Sequence, residues 1–90
     1  MKFLVVSTNT KDVSPFIGAE FQRVGELRAA GTIADGWVKA DYSGAILVLD
    51  CADAAEATAT LNTLPTVINN ATTFILTEIL DLDSVRPGVA

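Results

Sequence analysis

The sequence contains no histidine and a single cysteine, Cys51, among its 90 residues. Without histidine, a Ser-His-Asp triad, a Cys-His pair and the usual His/Cys metal sites are excluded. One cysteine cannot form an internal disulfide, which fits a reducing compartment. We therefore expect no metal site, and we interpret Cys51, at the end of an apolar strand, as a small buried side chain rather than a nucleophile.

Positive charge and long apolar runs are also scarce. Six Lys and Arg stand against eleven Asp and Glu, for a net charge of −5. This balance weighs against a nucleic-acid partner, because phosphate contacts need clustered positive charge. The longest apolar runs, Phe3–Val6 and Ala45–Leu49, fall far short of the roughly 18 residues of a membrane span. The basic-then-apolar start is too short for a signal peptide, so we expect a cytoplasmic protein without a membrane partner.

Half of all residues are hydrophobic, and they fall into short alternating elements. The patterns predict strands at 2–7, 32–40, 44–51 and 72–80, and helices at 15–30 and from 54 to about 61. This β-α-β-β-α-β order predicts an α+β, ferredoxin-like fold, with one four-stranded antiparallel sheet and both helices on one face. We place the domain at 1–80 and a C-terminal tail at 81–90.

Capping and turn residues punctuate these elements. Ser14, followed by a proline, is the predicted N-cap of the first helix, and Gly31 its stop. Asp53 and Glu56 have the spacing of a capping box for the second helix. The turn-forming residues at 41–44 predict a hairpin between strands two and three.

The predicted strands are apolar on both faces. Along strand three, Leu47 and Leu49 alternate with Ile46 and Val48, and strand one shows the same pattern. A sheet with one wet face should alternate apolar with polar residues, and two short helices cover only one face. We therefore predict a homodimer with the sheets packed face to face. The tail, with its Val85, Pro87 and Val89, is expected to reach across to the partner.

The first helix carries two charged residues inside its apolar stripe. At 100° per residue, Glu20 and Arg28 fall among Ile17, Phe21, Val24 and Leu27. A carboxylate facing an apolar sheet is suited to moving protons near neutral pH. The alternative is that Glu20 lies at the stripe's edge and pairs with Arg23 or reaches water. Arg28 is near the helix end, where a cation is favoured and its stem can extend to solvent.

Further candidates lie around strand two and on the first helix. Strand alternation places Ile33, Asp35, Trp37 and Lys39 on one face, a mixture that suits either a small polar ligand or a half-exposed edge strand. Tyr42, beside the turn, either donates a hydrogen bond into a cleft mouth or covers the surface. Gly18 and Gly25 lie on one side of the helix, which would allow close approach of a backbone or ligand; chance is the alternative.

Several segments together resemble the muconolactone-isomerase-like group of the dimeric α/β-barrel superfamily. They are Met1–Val6, Leu27–Gly31, the Trp37 position, Gly44–Leu49, Asp53–Glu56 and Leu64-Pro65. The resemblance implies sheets paired into a closed barrel, the option of higher oligomers, and proton transfer on a small lactone acid without metal or organic cofactor. Glu20 matches a glutamate on the first helix of those enzymes and Trp37 their strand-two tryptophan, whereas Asp35 stands where the isomerase has histidine.

The expected function is therefore binding of a small organic acid or lactone between helix one and the sheet, with isomerisation by proton transfer. Glu20 would be the acid/base, Lys39 or Arg23 would hold a carboxylate, and Trp37 and Tyr42 would shape the pocket. Asp35 is a further candidate for binding the substrate. Two alternatives stay open. One is a non-catalytic assembly or ligand-sensing domain, and the other is cofactor-free oxidation of a small aromatic.

Overall fold

Four strands and three α-helices make up the computed structural model, which describes residues 1–85. In chain order they are β1 Lys2–Asn9, α1 Ile17–Ala29, β2 Ile33–Val38, β3 Ala45–Asp50, α2 Ala54–Leu61, α3 Pro65–Ile68 and β4 Thr72–Ile79. Short 3-10 turns precede α1 and follow β4, at Ser14–Phe16 and Leu82–Ser84. Within residues 1–85, no helix has the length and apolar character that crossing a membrane requires.

The strands form one antiparallel sheet in the order β2-β3-β1-β4. The central strand β1 pairs with β3, where Phe3 lies opposite Leu49, and with β4, where Val5 lies opposite Leu76. Strands β2 and β3 form the predicted hairpin. This arrangement confirms the α+β, ferredoxin-like fold.

The core lies between the helices and one face of the sheet. Its buried members are Phe3, Val5, Leu27, Ile33, Leu49, Cys51, Ala57, Leu61 and Leu64. Burial, reinforced by the nearby carboxylate of Glu56, raises the pKa of the Cys51 thiol. A buried thiol that resists ionisation is a poor nucleophile, so its place in the core agrees with the interpretation from the sequence.

Helix ends follow the sequence signals in two of three places. Gly31 takes a φ of 81° just after α1, as a left-handed C-terminal stop requires. Asp53 Oδ1 accepts a hydrogen bond from the Glu56 amide at 2.8 Å and caps α2. Ser14 is not the N-cap, because its hydroxyl donates to Asp12 Oδ1 at 2.6 Å and it lies inside the 3-10 turn.

The short helix α3 was not predicted. The sequence predicts that the second helix ends before Pro65. In the structure, a new helical turn begins with this proline at its first position. Proline suits that position, because its φ is already helical and it lacks the amide hydrogen that would go unpaired. The consequence for the site is that α3 packs beside α1.

The second face of the sheet carries an apolar surface that no element of residues 1–85 covers. This open face comprises Leu4, Val6, Trp37, Ile46, Val48, Ile75 and Ile79. Ile75 is 70% exposed and lies opposite Val6 on the neighbouring strand. The two-faced apolar pattern of the sequence therefore reappears in the structure as one packed face and one open face.

Gly44 allows the β2–β3 hairpin to pack closely against the backbone of β1. A Cβ atom on Gly44 would overlap the Ser7 carbonyl oxygen, a backbone atom that cannot move aside. We expect Gly44→Ala to lower the free energy of unfolding by about 3 kcal/mol, as overpacking does. Urea denaturation measures the loss, with Gly18→Ala as control, because a Cβ there meets no atom within 4 Å. Equal stability of the Gly44→Ala variant and the wild type would contradict this packing.

Candidate functional site

A cleft of about 730 Å³ opens between α1 and the helix-bearing face of the sheet. It exists because the apolar stripe of α1 is buried only near its C-terminal end: Leu27 is buried, whereas Phe21 is 64% exposed. The apolar lining consists of Val13, Ile17, Phe21, Val24, Ile33, Trp37, Val38, Ala45 and Leu47. A concave, mainly apolar space of this volume is the kind that holds small organic ligands.

Glu20 supplies the cleft's carboxylate and is held in place by α3. The half-buried side chain accepts a hydrogen bond at Oε1 from the Thr66 amide, 3.0 Å away, in the first turn of that helix. The amide would otherwise be one of the unpaired donors of a helix N-terminus. Within residues 1–85, Glu20 Oε2 has no hydrogen-bond partner, so one carboxylate oxygen is anchored and the other stays available.

Polar groups line the cleft near the start of β4. Thr72 donates its hydroxyl hydrogen to Asn9 Oδ1 at 2.9 Å, and Asn9 Nδ2 donates to the Tyr42 carbonyl at 3.2 Å. Ser7 Oγ accepts from the Ala45 amide at 2.9 Å. These side chains are paired within the protein, so they set the shape of the cleft and fix the turn that carries Tyr42.

Tyr42 lies on the cleft rim in an unusual conformation. Its φ is 61° and its side chain is 81% exposed. A bulky residue in the left-handed region costs free energy, and such residues cluster at functional sites. The turn is fixed by the Tyr42 amide donating to the Lys39 carbonyl at 2.8 Å and by Ser43, whose hydrogen bonds lower the pKa of Asp41.

The two cations expected to hold a carboxylate are engaged away from the cleft. Arg23 donates through Nε to Thr63 Oγ1 at 3.0 Å and pairs with Glu26 at 3.2 Å. Lys39 Nζ donates to Thr8 Oγ1 at 3.3 Å. Neither lines the cleft, so the structure does not bring them together with Glu20.

A β-bulge in β2 changes the face of the sheet on which the candidate residues of that strand lie. The register with β3 shifts between Ile33 and Asp35, so Ile33 faces the core opposite Leu49. Asp35 and Trp37 lie opposite Val48 and Ile46 on the open face, although Trp37 also borders the cleft at the sheet edge. The prediction that Ile33 shares one face with Asp35 and Trp37 is wrong, because simple alternation assumes a strand without a bulge.

Arg28 lines the cleft but is not among the site residues predicted from the sequence. It lies in the last turn of α1 and lines the cleft, where the sequence suggested a cation that merely suits a helix end. The available signal was its position on the helical wheel between Ile17 and Phe21, both of which also line the cleft.

Gly25 widens the cleft at the middle of α1. It belongs to the lining, and a Cβ atom built there meets nothing within 4 Å. Gly18 has equal space but does not line the cleft. The two glycines are therefore not explained by a close backbone approach within residues 1–85, and only Gly25 bears on ligand access.

We expect Gly25→Ala to separate stability from binding. Alanine should raise the free energy of unfolding by roughly 0.5–1 kcal/mol, because glycine is unfavourable inside a helix. Its methyl group should also weaken binding of a small lactone acid about tenfold by taking up cleft volume. NMR titration followed at Leu47 measures this loss. Gly18→Ala is the control: a weakening as large as that of Gly25→Ala would show that cleft volume is not the cause.

Comparison with known proteins gives a likeness in structure. No family model matches the chain, and no curated protein matches it. Among solved structures it is similar to the 5-chloro-2-hydroxyhydroquinone dehydrochlorinase of Burkholderia phenoliruptrix, determined in complex with 2,5-dihydroxybenzoquinone. The TM-score is 0.78 at 14% sequence identity, covering 93% of this chain and 98% of that one. At this identity the likeness establishes the shared ferredoxin-like fold.

Proposed function

We propose that the chain binds a small cyclic organic acid or lactone in the cleft beneath α1 and isomerises it by proton transfer through Glu20. One observation carries this proposal. A carboxylate, anchored by the Thr66 amide at 3.0 Å, stands in the wall of a cleft that is otherwise mainly apolar. Geometry of this kind holds an acid/base group steady against a bound carbon acid.

The lining of the cleft indicates the polarity of the ligand. A mainly apolar lining, with Glu20 and Arg28 as its charged side chains, suits a small and mainly apolar ring better than a highly charged nucleotide. Two likenesses agree with this choice. The structural neighbour was determined with 2,5-dihydroxybenzoquinone, a small oxygenated ring, and the sequence resembles enzymes that act on a lactone acid.

Isomerisation of an unsaturated lactone needs only a proton that leaves one carbon and arrives at another. The Glu20 carboxylate removes the proton beside the ring carbonyl, and the C–H electron pair moves onto the carbonyl oxygen. The resulting acid returns the proton to the far end of the conjugated system, which restores the carbonyl. The step is balanced without an oxidant or reductant, and Glu20 ends as it began.

Glu20→Gln tests the acid/base role without removing the anchor. The glutamine carbonyl can still accept from the Thr66 amide, so we expect the fold to persist. Exchange of the acidic carbon-bound proton of a carboxymethyl butenolide in D₂O, followed by NMR, should slow by at least about 100-fold. Glu26→Gln is the matched control, since Glu26 lies on the same helix and pairs with Arg23.

Each outcome of that experiment has a distinct meaning. Unchanged exchange in the Glu20→Gln variant would remove Glu20 from the chemistry and leave it as a cap for α3, which favours a non-catalytic ligand-binding domain. Oxygen consumption with a small phenol, at a rate that Glu20→Gln leaves unchanged, would instead favour cofactor-free oxidation.

We further propose that the chain acts as a homodimer joined through the open face. An extended apolar surface in contact with water is unfavourable, and soluble monomers rarely keep one of this extent. A second copy presents the same surface and can cover it with two-fold symmetry. The cleft lies on the opposite side of the sheet and stays accessible. The free, buried Cys51 fits our placement of this activity in the cytoplasm.

Ile75→Asp tests the dimer. We expect the wild type to sediment at twice the 9.5 kDa of one chain, and the variant to sediment as a monomer, because a buried unpaired charge is costly. Ile68→Asp is the control, since Ile68 is 60% exposed on α3, away from the open face. A wild-type monomer at micromolar concentration would overturn the dimer.

The tail is a further part of the dimer proposal. Residues 81–85 follow β4 and contain the 3-10 turn, with Leu82 and Val85 exposed. We propose that this segment packs on the partner subunit. Pro87 and Val89, which the sequence analysis included, lie outside the described residues.

A further inference from the structure

We propose that Arg28 is the anion-binding group of the cleft and restricts its ligands to small rings that carry a carboxylate or another anionic oxygen group. This inference rests on the proposed function, because it names the class of ligand that the same cleft accepts. It replaces Arg23 and Lys39, the cations that the sequence suggested for this task.

The placement of the cations carries the inference. Among the residues that line the cleft, Arg28 is the cation and Glu20 the anion. Within residues 1–85, the Arg28 guanidinium has neither a salt bridge nor a hydrogen bond, whereas Arg23 and Lys39 have side-chain partners elsewhere. A guanidinium offers five donors in a fixed fork that fits a carboxylate, so an unengaged one beside a cavity is suited to binding it.

The charge of the whole chain strengthens the need for a local cation. A net charge of −5 repels an anionic ligand at long range. A ligand that carries an anionic group therefore enters this cleft favourably only if a nearby positive charge offsets both that repulsion and the loss of hydration. Arg28 lies where it can do so, and its exposure keeps its own desolvation cost low.

The spacing along α1 defines the geometry of the ligand. Glu20 and Arg28 lie a little over two turns apart, about 12 Å along the helix axis. Both side chains can reach toward the space between them, since each lines the same cleft. A ring with its anionic group a few bonds from the acidic carbon would place the carbon at Glu20 and the anion at Arg28.

Binding of a matched pair of probes tests the subsite. The probes are a carboxymethyl butenolide and its neutral methyl ester, titrated by calorimetry at low ionic strength. We expect the wild type to bind the acid about tenfold more tightly than the ester, and Arg28→Gln to abolish this preference by weakening only the acid. Arg28→Lys should retain part of the preference, since it keeps the charge but loses the fork. Arg23→Gln is the control and should leave both affinities unchanged.

The outcomes separate this inference from the proposed function. Equal binding of acid and ester by the wild type, no binding of either, or an unchanged preference in Arg28→Gln would overturn the anion subsite. A wild type that prefers the acid through Arg28 but catalyses no proton exchange would leave the subsite standing and overturn the acid/base role of Glu20. If the wild type catalyses proton exchange and Arg28→Gln alters neither its KM nor its kcat, the anion subsite is overturned and the acid/base role of Glu20 stands.

Discussion

A four-stranded sheet has two faces, and the helices of this chain lie on one of them. The constraint is set in the strands, where Val5 and Leu47 point into the core while Val6 and Ile46 point away from it. The helices therefore pack on the same side. α1 leaves part of that side uncovered, because its apolar stripe is buried only near its C-terminal end. The uncovered part of the packed face becomes the cleft, and the open face is the surface that we propose a second copy covers.

Glu20 joins stability to chemistry within that arrangement. Its hydrogen bond to Thr66 connects α1 to the first turn of α3, which fixes the distance between the two helices along one side of the cleft. The same bond limits the motion of the carboxylate, so the protein need not lose side-chain freedom when a ligand arrives. The residue that caps α3 is thus also the preorganised carboxylate to which we assign the proposed acid/base role.

Local signals in the sequence were sufficient for most of the fold. Strand alternation in β1, β3 and β4, the stop at Gly31 and the cap at Asp53 are decided by a few neighbouring residues, and the structure confirms them. The site was harder, because it depends on pairing between distant segments. The bulge after Ile33 arises from the register with β3. The choice between Arg28 and Lys39 as the cation of the cleft depends on which side of the sheet each one reaches.

The bulge in β2 also makes this edge of the sheet less suited to pairing with a strand of another molecule. β2 forms one border of the sheet, and a border strand with regular spacing offers its free amide and carbonyl groups to any neighbouring strand. The irregular register and the charged side chain of Asp35 make β2 a poor partner for another strand. The Asp35 carboxylate also accepts a hydrogen bond from the Gly36 amide at 2.8 Å. Growth into ribbons at this border is thereby discouraged, which agrees with the face-to-face association proposed above.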